Sequence, residues 1–120
     1  MKNLVIIAVI FFTVNFSFAQ NAVFNGTGED IRSGRESGIF EFTLPETVDE
    51  EEVNKSASYY TSYFIVDYNH ESRVAKISMQ DNDEMGRRVI NRFMLSSGVR
   101  HIEVEGKEYS LSDFFNTFMR

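Results

Sequence analysis

The chain contains no cysteine and no tryptophan, and its single proline is Pro45. Without thiols it forms no disulfide, so its stability rests on packing alone. It also offers no soft sulfur ligand for copper or zinc and no thiolate nucleophile. No serine stands in a strand-turn-helix elbow of the hydrolase kind. Positive charge is scarce as well: 12 Lys and Arg face 18 Asp and Glu, a net charge of −6. That balance argues against general nucleic-acid binding and against docking on anionic lipid. Histidine is limited to His70 and His101, and neither has a context that suggests a catalytic triad. No cofactor is expected, and the chain reads as a non-enzyme.

One long apolar run is present, Leu4 to Phe12, preceded by Lys2 and closing on Ser17-Phe18-Ala19. A basic start, a short apolar stretch and small residues at −3 and −1 predict a signal peptide over residues 1–19, cleaved after Ala19. The run falls short of the about 20 apolar residues that a spanning helix needs. The expected product is a bacterial-type protein that is periplasmic or secreted, with no membrane association after cleavage. It is more acidic than the whole chain, because Lys2 leaves with the signal.

Residues 20–38 are polar and glycine-rich and show no periodicity, so they read as a flexible lead-in. Gly26 and Gly28 do not make a phosphate loop, since no predicted strand precedes them and no helix follows at the right distance. From Ile39 the pattern sharpens into one domain, 39–120. Phe40, Phe42 and Leu44 alternate with Glu41 and Thr43, which predicts a half-buried strand ending at Pro45. Thr47-Val48-Asp49-Glu50 reads as a capping box that opens a helix from about Val48 to Tyr60. Tyr63 to Tyr68 and Arg73 to Met79 predict a hairpin around the turn Asn69-His70-Glu71-Ser72. Asp81 or Asp83 caps a second helix with Met85, Val89, Ile90, Phe93 and Met94 as its apolar stripe and Gly98 at its end. A strand over Arg100 to Glu105, a short strand over Lys107 to Ser110 and a helix capped by Ser112 follow.

The predicted order over the main body is βαββαβ, with a short C-terminal helix. It gives an α+β, ferredoxin-like fold in which two helices cover one face of a four-stranded antiparallel sheet. Phe40-Glu-Phe-Thr-Leu, the hairpin around Phe64-Ile-Val-Asp-Tyr-Asn and Arg73-Val-Ala-Lys-Ile, and the helix ending at Ser97-Gly98-Val99 together resemble a heavy-metal-associated domain. The resemblance covers roughly 39–104. It implies the same ferredoxin-like scaffold in a small exported protein. That family captures metal with a Cys-x-x-Cys pair between its first strand and first helix. Here the loop reads Pro45-Glu46-Thr47-Val48, so the family's metal activity is not expected.

Two sets of residues are candidates for a site. In the expected topology the last strand lies beside the first, which brings His101 and Glu103 next to Glu41. An imidazole between two carboxylates is a weak candidate for a hard divalent ion. The second set is aromatic: Tyr59, Tyr63 and Tyr68, with Phe114, Phe115 and Phe118 in the tail. Helix and strand geometry cannot turn all of these inward, and exposed aromatics are enriched in binding surfaces. Tyr63 to Tyr68 is also expected as an edge strand, open to an unknown protein partner or to self-association. The function that follows is a protein-interaction or binding module. A periplasmic metal-binding protein that uses histidine and carboxylates is the alternative.

Overall fold

The computed structural model describes residues 21–120. The expected signal peptide, residues 1–19, lies outside the described residues. The elements are β1 (Asn21–Phe24), α1 (Gly28–Ser37), β2 (Ile39–Thr43), α2 (Glu50–Ser58), β3 (Phe64–Asn69), β4 (Val74–Met79), α3 (Glu84–Ser96), β5 (His101–Val104), β6 (Lys107–Ser110) and α4 (Leu111–Phe114). A π-helical turn, Phe115–Met119, continues α4.

The six strands form one mixed sheet in the order β3-β4-β2-β1-β5-β6. This corrects the ferredoxin-like expectation, which placed β2 directly beside β5. β1 lies between them, antiparallel to β2 and parallel to β5. β6 adds an edge strand against β5. Hence the sheet is neither four-stranded nor wholly antiparallel, and among the described residues four α-helices accompany it instead of two and a tail. The flexible lead-in expected up to Gly38 is corrected with it. Residues 21–38 supply a central strand and a ten-residue helix, and the domain boundary expected at Ile39 falls away.

Local chemistry explains why α1 forms from so polar a segment. Thr27 caps it by accepting from the Asp30 amide, and the Asp30 carboxylate accepts from the Thr27 amide in return. Glu29 and Asp30 sit in the first turn, where the helix dipole favours negative charge. Gly38 ends the helix with φ 77°, a left-handed conformation that glycine adopts without steric cost. α1 buries only Gly28, Ile31 and Gly34. Its small residues let the backbone approach Phe40 and Phe118 closely.

α2 begins at Glu50 with Asp49 as its cap, two residues beyond the expected Thr47. Asp83 caps α3 by accepting from the Gly86 amide. Ser110, and not Ser112, caps α4.

Alternation along the strands sorts the sheet into two faces. One face carries Ala22, Phe24, Phe40, Phe42, Phe64, Ala75, Ile77, Ile102 and Val104, all buried. The stripe Val89, Ile90, Phe93 and Met94 of α3 packs on it. So does the C-terminal segment, with Phe114 against Phe42 at a ring distance of 6.0 Å. The opposite face presents the exposed Val23, Ile39, Glu41, Ile65, Asp67 and Lys76 to solvent.

Candidate functional site

On the exposed face the strand registers define cross-strand rows. Ile65 on β3 stands opposite Ser78 on β4, and Ser78 stands opposite Ile39 on β2. The next row is Asp67, Lys76 and Glu41, with the ammonium between two carboxylates in the favourable cross-strand order. Beyond Ile65, Tyr63 enters β3 from the turn, where its carbonyl accepts from the Gln80 amide. Tyr59 closes α2 immediately before that turn.

This corner concentrates exposed apolar surface. Ile39 is 46 % exposed, Tyr59 64 %, Tyr63 40 % and Ile65 49 %. Among the described residues β3 is an edge strand, so one side of its backbone pairs with β4 and the other has no strand neighbour. β2, β4 and the turn into β3 hold the corner rigidly, because Phe40, Ile77 and Phe64 anchor the same strands on the buried face.

The six aromatic candidates divide. Tyr59 and Tyr63 are at this corner. Tyr68 is on the core face of β3, partly covered, with its hydroxyl 3.1 Å from Nδ1 of His70. Burial raises the Tyr68 pKa; the nearby Arg73 opposes that and Glu50 adds to it. Phe114, Phe115 and Phe118 are buried in the core. Phe118 meets Tyr109 edge-to-face at 5.2 Å and Phe115 lies under the Arg88 guanidinium at 4.6 Å. Sequence reasoning missed Ile39 and Ile65. Their signal was available, since both share a strand face with charged residues, Ile39 with Glu41 and Ile65 with Asp67.

The polar candidates are not brought together. Glu41 lies on β2, and β1 separates it from His101 and Glu103 on β5. The acid that reaches His101 is Glu108 on β6, with Oε1 3.5 Å from Nδ1. The same oxygen accepts from Asn21 Nδ2 at 3.3 Å. Glu103 stands opposite Glu108, a like-charge pair. Among the described residues no three His, Asp or Glu side chains gather as a metal site.

The arginines of α3 have divided roles. Arg87 Nε donates to the Met119 carbonyl at 2.7 Å, and its Nη1 donates to the Asn82 backbone and side-chain oxygens. Arg35 on α1 donates to the Arg120 carbonyl at 2.7 Å. Glu84, which sequence spacing pairs with Arg88, instead stands 3.6 Å from Arg120. Two arginines and one ion pair thus hold the C-terminal segment in the seam between α1 and α3. No protein-family model, curated protein or solved structure matches the chain.

Proposed function

We propose that the chain is an exported, non-enzymatic interaction module that recruits a protein partner through the β3 edge and the apolar corner beside it. The observation that carries this reading is the convergence of Ile39, Tyr59, Tyr63 and Ile65, all exposed, on the one end of the sheet where an edge strand is open. An extended partner segment adding to β3 would gain main-chain hydrogen bonds from the strand and side-chain contacts from the corner. Tyrosines suit that task, since they give a large apolar area with a polar tip and little rotamer entropy to lose. The export reading rests on the pattern of residues 1–19, and it places the partner in the periplasm or outside the cell.

Site-specific photocrosslinking in producing cells tests the proposal. A photoreactive residue at Ile65 should give a discrete adduct, whereas one at the exposed Glu36 of α1, on the helical side, should not. Equal labelling from both positions, or none from Ile65, would overturn the assignment of the surface. The mature protein should also begin at Gln20 when its N-terminus is sequenced from the exported fraction; an intact Met1 there would overturn the export reading.

A further inference from the structure

α3 shows solvent a second surface, unrelated to the β3 edge. Met85, Arg88, Arg92 and Leu95 recur at spacings of three, four and three, which places them along one side of the helix. All four are exposed, Met85 at 60 % and Leu95 at 54 %. Among the described residues neither Arg88 nor Arg92 has a carboxylate partner. The Arg88 guanidinium carbon lies over the Phe115 ring, 4.6 Å from its centroid, a cation–π contact that holds the side chain in place. In a chain with 18 acids and 12 bases, two neighbouring unpaired arginines are a local inversion of charge.

The complement lies on the same molecule. Asp49, Glu50, Glu51 and Glu52 open α2, all exposed, and among the described residues no salt bridge engages them. α2 and α3 are neighbours in the helical layer, yet no ion pair joins them, and Glu51, Glu52, Arg88 and Arg92 are all exposed. We infer that the two helices form a self-complementary face on which a second copy of this chain docks. A two-fold axis along the seam between α2 and α3 lays the acids of one copy over the arginines of the other, twice in one interface. Such an isologous contact closes at two copies. Met85 and Leu95 flank the arginines and supply apolar contact; arginine and methionine are among the residues enriched in interfaces.

The net charge of −6 opposes association at long range. Salt therefore screens both the general repulsion and the local pairs, and charge reversal is the discriminating experiment. Sedimentation equilibrium of the protein purified from cells expressing the full sequence should show mass rising with concentration towards twice that of one chain. The pair R88E and R92E together should lose that rise, and so should E51K and E52K together. An equimolar mixture of the two variants should regain it, since each then supplies the charge that the other now needs. Circular dichroism checks that each variant folds, and recovery in the mixture itself requires both to be folded. A wild-type protein that stays monomeric throughout overturns the proposal. So does a dimer that survives both reversals, as one built on the β3 edge would. Reversal-sensitive binding to phosphatidylglycerol vesicles in place of self-association overturns it as well.

Discussion

Gly34 lies where α1 crosses β2. A Cβ built on it would stand 2.5 Å from Phe40 Cε1 and 3.0 Å from the Ile39 carbonyl oxygen. Phe40 is 1 % exposed and cannot swing clear, so Gly34→Ala must push the helix off the sheet. Overpacking of this kind costs about 1–3 kcal/mol, which outweighs the gain in helix propensity of about 1 kcal/mol. Urea unfolding should show a lower midpoint with an unchanged slope; an unchanged or raised midpoint would refute the close approach. At this scale much was legible. Period-two alternation put Phe40, Phe42, Leu44, Ala75 and Ile77 on the buried side, and the structure buries all five. What alternation could not show was how far strands stand apart. Glu41 was therefore grouped with His101 and Glu103 although β1 divides them.

The C-terminal segment illustrates how an element's role escapes its sequence. Helical geometry puts Phe114 and Phe118 on one face and turns Phe115 elsewhere, which makes the three, just before Met119, candidates for a binding surface or for a tail that folds over the sheet and buries them. The structure buries all four, because α4 and its π-helical turn are gripped from several sides in the seam between α1 and α3. One of those sides, α1, was itself expected to be flexible, so its share of the burial was out of view. The signals for α1 were present in Thr27 three residues before Asp30 and in Gly38 after the last turn. They were outweighed by the low apolar content of a helix that packs through glycines. Burying a large apolar side chain contributes about 1.5–3 kcal/mol, so these four together rival the about 5–15 kcal/mol by which a whole domain is stable. Deleting residues 111–120 should therefore abolish the cooperative thermal transition seen by circular dichroism. A truncated chain that still melts sharply would show that the segment is an appendage and not part of the core.

Over the whole molecule the decisive strand is the shortest kind to detect. β1 has four residues, and its pairing with β5 joins positions about eighty apart in the chain, so nothing local announces it. Loop closure must be completed before such a pairing returns any free energy, and sequence patterns record propensity, not closure. Yet β1 sits at the centre of the sheet, with β2 on one side and β5 on the other, while β3 and β6 occupy the edges. Central strands exchange their amides only when large parts of a domain open, whereas edges open locally. Native-state hydrogen exchange should thus rank Ala22 and Val23 of β1 with Phe40 and Phe42 of β2 among the slowest amides. The amides of β6 should exchange faster, despite belonging to a local hairpin. If β1 instead exchanges as fast as β6, it is not clamped between two partners.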